Sequence, residues 1–392
     1  MLALDPTSPG AACFPDAMRV LVAPDGFGGT LTPVEAARAI ADGWRRGAPH
    51  DELVLAPLSD GGPGLVEVLA AALPASETRD VEVQNPLGRP ATATLLLHEN
   101  SVHTAYIESA MACGLHLLAS EERDPRRTTS YGVGELVRAA LDAGATRVVV
   151  GLGGSATNDG GAGLLAALGL TAVDAGGRPL PPGGAALREV VGLVGELDPR
   201  LAHVSLVAAT DVDSPLLGLR GASAVYGPQK GADPDDVQVL DHALSQWAEV
   251  LERHTGRAVR DLPGAGAAGG LGAALLALGA TAASGLGLVQ HLVGLPAKAA
   301  RAQLVVTGEG SLDFSSLAGK VVAGVARAAG EEGVACLVLA GQVSLGRREC
   351  ATAGIEATYA VADAVGLAAS LADPAGELAA LAEQVAREWS RP

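Results

Sequence analysis

Apolar and polar positions alternate along this chain at two different periods. Short, mostly β-branched apolar runs have the length and residue types of buried strands: "RVLVAP", "ELVLAPL", "ATATLLL", "RVVVGLG", "VSLVAATD", "AQLVVTG" and "ACLVLAG". Between many of them, apolar residues recur every three to four positions, as in "TPVEAARAIADGWRRG", "GPGLVEVLAAAL", "GVGELVRAALDAG", "DDVQVLDHALSQWAEVLERHTG" and "GKVVAGVARAAGEEG". Strands alternating with helices predict an α/β fold with largely parallel sheets covered by helices. Thr30 or Thr32 can cap the first helix, with Pro33 in its first turn and Glu35 placed to complete a capping box.

The rhythm breaks near "QNPLGRPATA" and again around "TAASGLGLVQHLVGLPAKA". These breaks predict two α/β domains, the second inserted into the first. A discontinuous Rossmann-like domain would take residues 18–85 plus 295–392, and the inserted α/β domain residues 86–294. Residues 1–17, "MLALDPTSPGAACFPDA", carry neither a basic start nor a continuous apolar core, so a disordered extension is expected there rather than a signal peptide.

Composition sharpens this picture. A length of 392 residues suits two domains. With 48% apolar but only 3% aromatic residues, the core must come from closely packed Ala, Leu and Val, with 52 glycines supplying turns. A formal charge of −17 repels polyanions, so neither nucleic acid nor an anionic membrane is an expected partner. The longest apolar runs are broken by glycine, and a cytoplasmic location is expected. Cys13, Cys113, Cys336 and Cys350 show no metal-ligand spacing.

The chemistry concentrates in glycine turns. "VVVGLGGSATNDGGAGLLAALG" runs from strand to helix, an arrangement in which backbone N–H groups face an anion. It mimics a dinucleotide fingerprint through Gly151, Gly153 and Ala156, with Asp174 downstream, but Thr157, Asn158 and Asp159 intervene before the helix. A carboxylate there makes sense if a cation, a hydroxyl or a basic side chain shares the site. "GAGAAGG" follows no strand and reads as a helix-packing turn, and Gly319-Lys320 lacks the spacing of a Walker A loop. The chain holds only three lysines, Lys230, Lys298 and Lys320, and two of them sit in glycine-rich segments, where a compact ammonium can approach phosphate. Asp25, Asp60, Asp211, Glu309 and Asp313 all follow or end strand-like runs, where open α/β sheets bind ligands. Phosphoryl transfer needs such a set, to hold a divalent cation and to accept a proton.

The segments "APDGFGGTLTPVEAARAIADG", "IESAMACGLHLL", "ERDPRRTTSYGVGELV", "GLGGSATNDGGAGLLAALG", "TDVDSPLLGLRGASAVYGPQKGA", "GAGAAGGLGAAL" and "VVTGEGSLDFSSLAGKVVAGVA" resemble, in order, those of the type 1 glycerate kinase family. The resemblance runs from Met18 to about residue 370. It departs from the usual pattern at Gly26 and Gly28, where the family shows Ser and Lys, and at Pro63, Leu65 and Ser315-Ser316. It implies ATP-dependent phosphorylation of D-glycerate with Mg²⁺ between two α/β domains. By analogy the product is 2-phosphoglycerate, and a homodimer stays open. On this resemblance Asp211 takes the hydroxyl proton, and Lys230 and Asp60 complete the catalytic set. Asp25, Gly153, Gly154, Ser155, Asn158, Asp159, Gly160, Gln229, Glu309, Asp313 and Lys320 are expected to bind substrate or nucleotide, with Asp159 and Asp313 as metal candidates. Arg126 and Arg127 are candidates for the substrate carboxylate. Kinases of other small hydroxy acids, a catalytically silent sugar-acid or nucleotide-binding relative, and an NAD-dependent dehydrogenase stay open as rivals.

Overall fold

Among the described residues, two large sheets, a two-stranded ribbon and three helix layers make up the fold. The structure is a computed structural model describing residues 17–317 and 319–390. The extension expected at residues 1–17 lies outside the described residues, apart from Ala17. The strands are β1 (Arg19–Val22), β2 (Glu52–Leu55), β3 (Ser76–Gln84), β4 (Pro90–Glu99), β5 (His103–Glu108), β6 (Arg147–Gly151), β7 (Leu170–Val173), β8 (Gly192–Gly195), β9 (Ser205–Ala209), β10 (Thr281–Ala283), β11 (Leu304–Leu312), β12 (Ala335–Val343) and β13 (Ala357–Ala360).

The first sheet, in the order β13-β12-β11-β1-β2, is parallel throughout. The second, in the order β10-β9-β6-β5-β4-β3, is parallel from β10 to β5 and antiparallel from β5 to β3. β7 and β8 form a separate two-stranded ribbon.

Every apolar run read as a strand forms one, but β4 pairs antiparallel on both sides. Its neighbour β3, "SETRDVEVQ", is an edge strand, largely exposed and charged, so it carries no apolar signal. This corrects the first expected boundary. Residues 84–90 turn a hairpin within the second sheet, so 76–84 belong there and not with the first. The chain leaves the first sheet after the helix Leu65–Ala72 and returns through Gly285–Val293.

Burial explains the layering. The outer face of the first sheet packs Val20, Val22, Leu337 and Leu339 against helices Pro33–Gly47 and Pro374–Trp389. Its inner face and one face of the second sheet share a single core, with Val305 and Val338 from one and Leu96, Tyr106 and Val149 from the other. Helices Leu65–Ala72, Gly285–Val293 and Val321–Glu331 contribute to that core. The remaining face of the second sheet packs on Tyr131–Asp142, Pro234–Thr255 and Ala267–Ala277 around Trp247. Sharing a helix layer ties the two sheets together by apolar burial, worth roughly 25 cal/mol per Å². Thr32 is the cap of the first long helix. It accepts from Glu35 N at 3.2 Å, and the Glu35 carboxylate accepts from Thr32 N at 2.9 Å.

Candidate active site

Parallel strands deliver their carboxyl ends to one side of a sheet, and here those ends from both sheets meet. β2 leads into "PLSDGG", β6 into "LGGSATND" and β9 into "TDVD". The turns touch backbone to backbone. A Cβ on Gly153 would lie 2.6 Å from the Gly62 Cα, one on Gly151 2.3 Å from the Gly61 carbonyl oxygen, and one on Gly285 2.0 Å from that of Asp60. Gly154 adds a positive φ of 63° where the turn passes Pro63. Glycine is therefore required for the halves to approach this closely.

A cleft of about 610 Å³ opens beside this contact. Asp60, Ser315 and Lys320 line it from the first half. Gly153, Gly154, Ser155, Asp211, Gln229 and Lys230 line it from the second. Eight residues expected from the sequence thus share one chamber, with sequence separations of up to 260 positions between Asp60 and Lys320.

Lys230 is only 2% exposed, yet it lines the cleft. Its Nζ donates to Ser155 Oγ at 3.1 Å and to the Thr157 carbonyl at 2.6 Å. Burial pushes the ammonium down to about 8, and the nearby Asp159 charge works in the opposite direction. Asp211 accepts from Ser284 Oγ at 2.6 Å and from Leu286 N at 2.7 Å, so its carboxylate is fixed against the start of helix Gly285–Val293. Partial burial raises its pKa against the effect of these two donors. Asp60 Oδ1 accepts from Gly62 N at 3.0 Å.

Asp25 and Glu309 are not among the residues lining the cleft, but they stand near Asp60. Burial, then the Asp60 charge, pushes Asp25 up to about 8. Burial raises Glu309 as well, with Asp313 and Asp60 adding to the effect. Lys320 Nζ donates to Ser315 Oγ at 3.0 Å, and its charge acts on Asp25 and Glu309 in the stabilising sense.

The other expected residues do different work. Asp159 is fully buried and accepts from five donors: Ser130 N (2.8 Å), Ser130 Oγ (2.9 Å), Gly161 N (3.1 Å), Gly163 N (3.2 Å) and Thr129 Oγ1 (3.4 Å). Its oxygens are taken, and it pins the glycine turn to the loop before helix Tyr131–Asp142 instead of facing the cleft. Asn158 Nδ2 donates to Ser223 Oγ at 2.9 Å, and Gly160 receives the Trp247 indole N–H at 2.8 Å on its carbonyl. Both are buried supports of the turn. Asp313 turns its carboxylate back on Ser315, accepting from its N at 2.7 Å; the Ser315 hydroxyl and then this N–H hold its pKa below the usual carboxylate range, and it does not line the cleft. Asp174 pairs with Arg178 in a surface turn, so the dinucleotide mimicry ends there. The "GAGAAGG" turn packs on this same region, with Gly269 O accepting from Gly160 N at 3.0 Å, while Ala267 and Ala268 line the cleft. Arg126 and Arg127 line a different groove.

Glu108, Arg220 and Tyr226 escaped the sequence reading. Glu108, 3% exposed at the end of β5, accepts from Gly64 N at 3.0 Å and Val66 N at 3.5 Å. A carboxylate of the second sheet thus caps a helix that follows the Asp60 turn. Nothing in "YIESAM" distinguishes such a carboxylate from an exposed one. Arg220 and Tyr226 also line the cleft without having been singled out.

The donors near Asp60 suit Mg²⁺, being hard carboxylate oxygens, and Glu309 Oε1 is buried with no hydrogen-bond partner. Among the described residues no three His, Cys, Asp or Glu side chains form a ready metal cage. Mg²⁺ is commonly held by one or two carboxylates with substrate phosphates completing its shell. Among the described residues no helix is long and apolar enough to cross a membrane.

A model of the glycerate kinase family matches residues 20–390. The glycerate 2-kinase of Escherichia coli is 42% identical over 351 residues, 89% of this chain and 92% of that protein. The glycerate kinase of Bacillus subtilis is 43% identical, covering 88% and 90%. The crystal structure of a protein assigned as glycerate kinase 2 from Salmonella typhimurium LT2 superposes with a TM-score of 0.77 at 39% identity, covering 96% of this chain and 99% of that one.

Proposed function

The chain belongs to the glycerate kinase family, and on that premise we propose that it transfers the γ-phosphoryl group of ATP to D-glycerate in the cleft, with 2-phosphoglycerate as product. One observation carries this reading: Asp60, Ser155, Asp211, Lys230 and Lys320 converge on one chamber from both halves of the fold. Its volume of about 610 Å³ falls within the range of small-ligand sites, and its floor is amide-rich turn.

In this reading Lys230 and the backbone N–H groups at 153–155 hold the transferring phosphate. Lys230 suits that task because its pocket already orients the ammonium through Ser155 and Thr157. Asp211 accepts the proton of the attacking hydroxyl. Its two hydrogen bonds fix its direction, and its raised pKa makes it a stronger base than an exposed carboxylate. Lys320 meets the same phosphates from the first half and offsets the charge of Asp25 and Glu309. Asp60, with Asp25 or Glu309 behind it, would hold Mg²⁺, which when bound neutralises phosphate charge.

The test is phosphorus NMR of the product formed from ATP, Mg²⁺ and D-glycerate. The expected signal is that of 2-phosphoglycerate. A 3-phosphoglycerate signal would overturn the regiochemistry, and ADP formation independent of D-glycerate would overturn the acceptor.

A further inference from the structure

A second cavity of about 880 Å³ lies at the other end of the glycine turn, where residues 159–163 form part of its wall. The hairpin turn 84–89, the loop 126–131 and residues 180–189 close the remaining sides. Its floor is apolar, from Ala162, Ala166, Ala172, Leu180 and Leu187, and its volume lies in the range of sites for drug-sized ligands.

The charge at its rim differs from that of the chain. Four arginines, Arg89, Arg126, Arg127 and Arg188, line a cavity in a protein of formal charge −17. Two are already neutralised: Arg89 pairs with Glu122, and Arg126 pairs with Asp124 at 2.8 Å and Asp236 at 2.9 Å. Arg127 and Arg188 form no salt bridge among the described residues, and both are exposed. The carboxylates near them are Asp124, which pairs with Arg126 and also feels the Arg127 charge, Glu189, and Asp159, which is buried with its oxygens spent on its five donors. Two exposed guanidiniums without a salt bridge, Arg188 using only its Nε on the Ala185 carbonyl at 3.3 Å, lie over an apolar floor and match a ligand with an apolar body and an anionic head, since a guanidinium fork meets carboxylate or phosphate oxygens in pairs.

We propose that this groove is a second ligand site, distinct from the cleft, which takes a small organic anion: a ring or apolar body on Ala162, Ala166 and Leu187, and a carboxylate or phosphate head between Arg127 and Arg188. The site does not depend on the phosphotransfer reading, because it is read out by binding alone.

Benzoate and phenyl phosphate share a ring and differ in the head, so calorimetric titration of the full chain with each separates the two kinds of head. At least one should bind saturably, one per chain. Affinity should fall about tenfold in R127A/R188A, whose changes are at exposed positions, and also in A166W, which fills the floor. Thermal unfolding of each variant checks that it has folded. Saturating ATP and D-glycerate should leave the binding in place. The proposal is overturned if neither compound binds saturably, if R127A/R188A binds as tightly as the parent, or if ATP and D-glycerate displace the probe.

Discussion

Lys230 Nζ sits 3.1 Å from Ser155 Oγ, joining residues 75 positions apart beneath the glycine turn at the cleft. The pair holds a positive charge in a buried place at the wall of the cleft. K230M is expected to lower kcat/KM for phosphorylation by ~10²–10³, the usual effect of losing one preorganised donor. K230R should not restore it, because a planar fork cannot occupy a pocket shaped for a point charge. Steady-state kinetics of both variants check this, and a fully active K230R would remove the geometric requirement.

The same lysine leaves a signature in stability. Its folded pKa of about 8 lies below the ordinary 10.5, so between these values the unfolded chain binds more protons than the folded one. Stability from this group therefore rises with pH from about 8 to 10.5. Urea unfolding across that window should show the rise in the parent and lose it in K230M.

Asp211 and Asp60 separate by kinetics. D211N should cut kcat by ~10²–10⁴ with little change in the KM for ATP, as loss of a base does. D60N should raise the Mg²⁺ concentration needed for half-maximal rate. If D211N turned over near the parental rate while D60N did not, the base role would pass to Asp60.

Glu108 predicts a pH dependence of the opposite sign. Burial pushes it up to about 7 from its ordinary 4.5, so the folded state holds its proton where the unfolded state has lost it. Its stabilising contribution is complete below pH ~4.5 and is lost as pH rises through about 7. E108Q should flatten that part of the profile in denaturant titrations between pH 4 and 8. An unchanged slope would show that Glu108 is not the group responsible.

Gly153 meets Gly62 too closely for a side chain, with a Cβ placed 2.6 Å from the opposing Cα. G153A should destabilise the fold by about 1–3 kcal/mol through overpacking and lower activity by parting the halves of the cleft. Chemical denaturation read beside kcat checks both effects; parental values for both would mean that the turns yield without cost.

Some of this was legible in the residues. Thr32 with Glu35 announced its own capping box, because the partners are three positions apart. The central strands announced themselves because most of their side chains enter apolar surroundings, and the parallel order of all but β4 followed from the helices between them. β3 did not, since an exposed edge strand needs no apolar run, and the expected domain boundary slipped past it. Asp25, Asp60 and Asp211 were found together because parallel strands end on one side of their sheets.

The order of residues by itself determined the α/β class, the family, and the set of glycine turns, lysines and carboxylates from which the cleft is drawn, because strand and helix periods and motif residues are written in the chain locally. Only the tertiary structure decided which way each side chain faces. It sent Asp159 inward to five donors while Asp211 stayed at the cleft, moved Arg126 and Arg127 to a second groove, and brought Glu108 across to a helix from the other half. Those outcomes depend on contacts between residues tens to hundreds of positions apart, and an isolated carboxylate in a glycine-rich turn reads the same whether it points into the core or into the cleft.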